Sequence, residues 1–212
     1  MGRGIKQIRK ISNDRVRKPR KTKSTILIAL EGKNKTEKLY FNNFDTGKQA
    51  YTITIAKGND TDPLKLVKNL NNEIKKLGLD LKNGDKAYCV FDVDVNPQKN
   101  KIIEEAKKLA MESKIEIITS TPSIELWFLL HYEYTTAYLS NEEVIKKLKV
   151  NYPRYQKNSN IFPDIHGNVQ DAIKNAKRLE QFQIDNEKRI GTVESNPNTE
   201  IYKIVEYLIE NS

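Results

Sequence analysis

Two short apolar runs that each end in acid constrain this chain more than anything else in it. Thr25-Ile26-Leu27-Ile28-Ala29-Leu30 stops at Glu31-Gly32, and Ala87-Tyr88-Cys89-Val90-Phe91 stops at Asp92-Val93-Asp94. Runs of this length, rich in β-branched and aromatic residues, read as strands buried on both faces. In an open parallel sheet, ligands bind in the crevice beyond the carboxyl ends of the strands. Residues two apart on a strand point the same way, so Asp92 and Asp94 can face one point, roughly 7 Å apart along the chain. Glu31 joins them if the two strands are neighbours. Converging carboxylates repel one another, and a hard divalent cation such as Mg²⁺ relieves that repulsion. The pattern therefore predicts a metal site, with Mn²⁺ as a possible substitute ion.

The rest of the chain alternates in the same way. Asn34 to Phe44 reads as a helix and Tyr51 to Ala56 as a second strand. Asp62-Pro63 supplies a cap and a first-turn proline for a helix that carries Leu66, Leu70, Ile74 and Leu77 on one stripe before Gly78. A helix through Ile102, Ile103, Ala106, Leu109 and Ala110 follows the acid-bearing strand, and Ile115 to Thr119 forms a fourth. Strands separated by helices imply βαβ units and a mostly parallel sheet, hence an α/β fold. From Thr121 the pattern turns mostly helical. A strongly apolar helix over Thr121 to His131 is expected with Ser123 as its cap. Further helices are expected over Asn141 to Val150, Gly167 to Phe182, and after Pro197-Asn198-Thr199. The expected organisation is a basic arm over 1–23, an α/β core over 24–131 and a mostly helical region over 132–212 packed on that core.

Charge is distributed unevenly. The formal net charge is +9, and residues 1–23 alone carry ten Lys/Arg against the single acid Asp14, leaving the body formally neutral. A basic arm on a neutral body gains nonspecific attraction to nucleic-acid phosphates, here through residues such as Arg17, Lys18, Arg20 and Lys21. A solubilising extension is the plainer alternative. Lys33 and Lys35 open a helix, where backbone amides and the dipole favour anions. Arg154 and Lys157, interleaved with Tyr152 and Tyr155, mix stacking and phosphate-binding groups. One cysteine excludes an internal disulfide and suits a reducing cytoplasm. With only His131, His166 and Cys89 available, a Cys/His zinc site is not expected. No apolar run approaches the ~20 residues that a membrane span needs, and the basic N-terminus has no apolar segment behind it. A cytoplasmic protein without a membrane association is expected.

Four segments resemble the motifs of one family. Strand–Glu-Gly–helix followed by strand–Asp-x-Asp resembles the Toprim domain of topoisomerases, primases and OLD-type nucleases. Glu31 to Phe41 more closely resembles the opening motif of the RloB-like family, and Phe91-Asp92-Val93-Asp94 its second. Pro122 to His131 resembles the third motif and Asn196-Pro197-Asn198-Thr199 the fourth. The resemblance runs from about residue 24 to the end of the sequence. The loop after Glu31 is one residue longer than the usual family form, which shifts Thr36 and Glu37. Val93 stands where the family often has Arg or Lys.

The resemblance implies a Toprim-type, Mg²⁺-dependent phosphodiesterase acting on RNA (tRNA among the candidates) or DNA, in a family associated with bacterial defence against phage. It also implies an ABC- or AAA-type ATPase partner, as in the abortive-infection system AbiL. Asp92 and Asp94 are then metal ligands, and Glu31 is a ligand or the general base for the attacking water. Glu125 is a further catalytic acid, orients a second ion, or caps its helix. His131, Trp127, Phe128 and Cys89 read as packing residues. A non-catalytic nucleic-acid-binding or regulatory partner of an ATPase is the main alternative. Nucleotidyl transfer is a third, weakened by the lack of an evident zinc module.

Overall fold

The computed structural model describes residues 23–32, 35–93 and 99–212. The alternating pattern folds as α/β. The first apolar run is β1 (Ser24–Leu30), followed by α1 (Lys35–Asn42), β2 (Tyr51–Ile55) and α2 (Pro63–Leu77). The second run is β3 (Lys86–Asp92), followed by α3 (Lys99–Glu112) and β4 (Glu116–Thr121). Among the described residues these strands form a five-stranded sheet in the order β2-β1-β3-β4-β5, where β5 is the two-residue strand Asn198–Thr199. β1 to β4 are mutually parallel, and β5 runs antiparallel along β4 at the edge.

This order has one reversal of direction. From β1 the chain moves outward to β2, then returns to place β3 on the other flank of β1. Successive strand residues face opposite sides of the sheet. Ile26, Ile28, Leu30, Tyr88, Val90 and Ile118 pack against α1 and the later helices. Leu27, Ala29, Ala87, Cys89 and Phe91 pack against α2 and α3. The helices after β1 and β3 therefore leave toward opposite faces. A crevice opens between the carboxyl ends of these two strands, the switch point where open α/β sheets hold ligands.

The later chain closes the first face. It comprises α4 (Glu125–Leu129), α5 (Asn141–Asn151), the single turn α6 (Phe162–Ile165), α7 (Val169–Asp185) and α8 (Ile201–Glu210). Trp127, Phe128, Val144, Leu148, Leu179 and Leu208 are all buried in one apolar cluster with β1 and β3. The region over 132–212 thus shares the core of the sheet and also supplies its edge strand, β5. No helix among the described residues is long and apolar enough to cross a membrane.

Two local expectations are corrected. The apolar helix expected from Thr121 begins only at Glu125, because Thr121 is still paired with Asn198 across β4 and β5. Ser123 does not cap it either: the first flanking residue is Ile124, with no side-chain cap, and the Ser123 hydroxyl is committed to Glu125. Elsewhere the local signals act as expected. Asp62 caps α2 by accepting a hydrogen bond from Lys65 N at 2.9 Å, and Gly78 ends it in the left-handed region at φ 65°.

Candidate active site

Glu31 and Asp92 leave adjacent strands at the switch point. β1 and β3 pair with Leu30 opposite Val90, so Glu31 passes the end of β3 one residue beyond that pair. Its Oε2 accepts a hydrogen bond from Asp92 N at 3.2 Å. The neighbour relation on which the acidic cluster depended is therefore present. Gly32 makes the exit from β1 possible: its φ of +58° lies in the left-handed region that side chains disfavour, and its N–H donates to Asp60 O at 2.7 Å. Asp92 follows Phe91 on β3, so its side chain lies on the face that carries α1 and α4.

On that face Asp92 shares a small cleft, of about 70 Å³, with Thr36, Glu37, Glu125 and Lys157. Glu37 sits in the first turn of α1 and is buried, where an acid complements the helix dipole. Glu125 opens α4 and is only 4% exposed. Two hydroxyls hold its carboxylate: Ser123 donates to Oε2 at 2.7 Å and Tyr155 to Oε1 at 2.9 Å. Lys157 lies 3.9 Å from Oε1. Burial, then the charge and hydrogen bond of Glu125, then the charges of Glu37 and Asp92, raise the Tyr155 phenol far above its ordinary range. Tyr155 thus remains a proton donor to Glu125 at any physiological pH.

The segment that brings in Tyr155 and Lys157 is pinned across the start of α1. Asn158 N donates to Thr36 Oγ1 at 2.9 Å, and Asn160 exchanges side-chain hydrogen bonds with Asn43. The fourth family-like motif works at the opposite edge. Asn196 bonds both N and O of Leu139, Thr199 and Ser120 hydroxyls meet at 2.8 Å, and Glu200 accepts from Thr119 N and Oγ1. These bonds fasten the late chain to β4 and so set the point from which α4 presents Glu125.

Other sequence-derived candidates lie in different places. Lys35 is exposed at the start of α1. Arg154 is not in the cleft: it pairs with Asp164 at 3.5 Å and lies over the ring of Tyr152. Asp94, Lys33, Arg17, Lys18, Arg20 and Lys21 fall outside the described residues. His131 is packed, as expected: Nδ1 lies 2.9 Å from Trp127 O and so carries the proton, while Nε2 is buried without a hydrogen-bond partner. Cys89 is buried on β3, and burial, with the charge of Glu31 second, pushes its thiol up to about 12. Both are packing residues, and a buried thiol held protonated is a poor nucleophile.

Glu37 and Ser123 escaped the sequence reading as site residues, and Tyr155 was read as a stacking group rather than as a partner of Glu125. Glu37 has a signal, six residues after Glu31 and in a first helical turn; Ser123 and Tyr155 reach Glu125 only through the fold. Among the described residues, no group of three or more His, Cys, Asp or Glu forms a metal site. The polar side chains around the switch point nonetheless supply mainly oxygens, from the carboxylates of Glu31, Glu37, Asp92 and Glu125 and the hydroxyl of Thr36. Such a set fits a hard cation of the Mg²⁺ type rather than zinc or copper.

The fold and this crevice define the class: a mostly parallel α/β protein with acids concentrated at the carboxyl edge of its sheet. The family model for RloB-like protein matches residues 26–208, and the chain belongs to that family. It matches none of the curated proteins and none of the solved structures.

Proposed function

We propose that this chain is a Mg²⁺-dependent nuclease of Toprim type that hydrolyses phosphodiester bonds in RNA or DNA. The observation that carries the reading is the pairing of β1 with β3, which brings Glu31 to the Asp92 N–H at the switch point while Asp92 shares a cleft with Glu37 and Glu125. Glu31, Asp92 and Asp94 would hold the ion, which when bound supplies charge neutralisation at the phosphate and activation of water. Ser123 and Tyr155 fix the Glu125 carboxylate on the opposite wall, where it can accept or orient a proton. Lys157 offers a positive charge to a phosphate entering the cleft, and Lys35 is exposed at the start of α1. An ATPase partner and a role in defence against phage belong to the same reading, on the family resemblance.

The test is cleavage of labelled tRNA and single-stranded DNA by the wild type and by an Asp92→Ala/Asp94→Ala variant, with Mg²⁺ or Mn²⁺, alone and with a partner ATPase. Cleavage by the wild type that falls at least 100-fold in the variant, with fold and nucleic-acid binding kept, is expected. Unchanged biological activity in the variant would favour the non-catalytic binding or regulatory role.

A further inference from the structure

Four acids crowd the switch point, and a polyanion approaching them is repelled unless cations flank its path. Among the described residues Lys157 is the cation in the acidic cleft itself. Beside it, at the carboxyl ends of β1 and β2, lies a larger groove of about 560 Å³ lined by Lys35, Lys38 and Lys57. That volume accepts a nucleotide-sized group. Leu30, Ile55 and Ala56 line it with apolar surface, and Gly58 and Asn59 bring exposed backbone to the rim. All three lysines are exposed, and none has a carboxylate within ion-pair distance among the described residues.

The sheet sets how far this groove lies from the acids. β1 and β2 pair with Ile28 opposite Ile55, and Ala56 N donates to Ile28 O, so Lys57 stands level with Leu30. Leu30 is in turn opposite Val90 of β3, two residues before Asp92. Two strand spacings, about 10 Å, therefore separate Lys57 from the acid-bearing strand. That is too far for Lys57 to touch the bond presented to Asp92 and near enough to hold the adjoining backbone.

We propose that the groove lined by Lys35, Lys38 and Lys57 binds the phosphodiester backbone of a polynucleotide flanking the bond at the acidic cleft. The inference rests on the nuclease reading for what lies in the cleft, while the groove itself is tested by binding alone. Lys38 and Lys57 position the strand and take no part in the chemistry.

The experiment is fluorescence anisotropy with fluorescein-labelled single-stranded RNA and DNA oligonucleotides of mixed sequence across a salt series. Every protein carries Asp92→Asn, so the probes stay intact. Lys38→Ala/Lys57→Ala is expected to weaken binding about tenfold and to reduce the slope of log K against log salt by about 1.4, two single-strand phosphate contacts. Lys38→Arg/Lys57→Arg is expected to restore both. The RNA and DNA arms show which polymer supplies the phosphates. Equal affinity and slope in the alanine variant overturn the inference, as does failure of the parent protein to bind either polymer. Cleavage by the protein with Asp92 intact, measured separately, decides the nuclease reading in either event.

Discussion

Glu125 illustrates how a single buried acid is kept in place. Its two oxygens each accept from a hydroxyl, Ser123 and Tyr155, and Lys157 stands just outside. Tyr155→Phe removes one donor and keeps the ring, leaving a buried carboxylate under-satisfied. A loss of about 1–2 kcal/mol in urea unfolding is expected. His131 is the other residue with a measurable signature. Burial first, with the positive charge of His166 contributing, holds its imidazole down to about 4, below its ordinary 6.5. A group whose charged form is disfavoured in the folded state binds more protons when unfolded, so stability falls as pH drops from about 6.5 toward 4. The full difference is at most about 3 kcal/mol, and His131→Asn should flatten that part of the melting temperature against pH curve. Glu31 and Asp92 were legible because strand-terminal acids announce themselves next to apolar runs. The role of Tyr155 was not: its basic, aromatic segment stood out as a candidate stacking surface, but nothing local says that its hydroxyl meets Glu125.

At the level of elements, legibility followed periodicity. α2 carries a cap, a first-turn proline, an apolar stripe and a terminal glycine, and its ends fall where those signals put them. Asp62→Ala should cost about 1 kcal/mol, and Gly78→Ala a similar amount because its φ is positive. Additivity of the two in a double variant, checked by chemical denaturation, would confirm that they act at separate ends. β5 lacks any such signal, since two residues show neither alternation nor a hydrophobic run. It exists because Ser120 and Thr121 offer an open edge and Glu200 and Thr199 have partners waiting on β4. The same pairing shortens α4, which periodicity alone extended back to Thr121. The capping box of Ser140 and Glu143 at the start of α5 was readable but went unused.

For the whole molecule, the strand order decides where chemistry can occur. Parallel strands were readable from the alternation of elements, but the reversal between β2 and β3 was not, because either flank of β1 is open to a returning strand. That reversal gathers the acids, and their mutual repulsion predicts a cation effect on folding. Mg²⁺ in large excess over its dissociation constant should raise the melting temperature of the wild type, by the equivalent of about 2.7 kcal/mol at a hundredfold excess, and leave Asp92→Ala/Asp94→Ala unmoved. Equal shifts in both proteins, read by differential scanning calorimetry, would remove the acidic edge as the ion's seat.

The cleft is assembled from segments far apart in the chain. Glu31, Glu37 and Asp92 come early, whereas Tyr155, Lys157 and the β5 clasp that anchors β4 come after residue 150. A nascent chain that has emerged only through α4 holds these acids, Glu125 and Ser123, but not Tyr155, the second hydroxyl that seats Glu125. Full seating of the Glu125 carboxylate thus waits for synthesis of the final third of the chain.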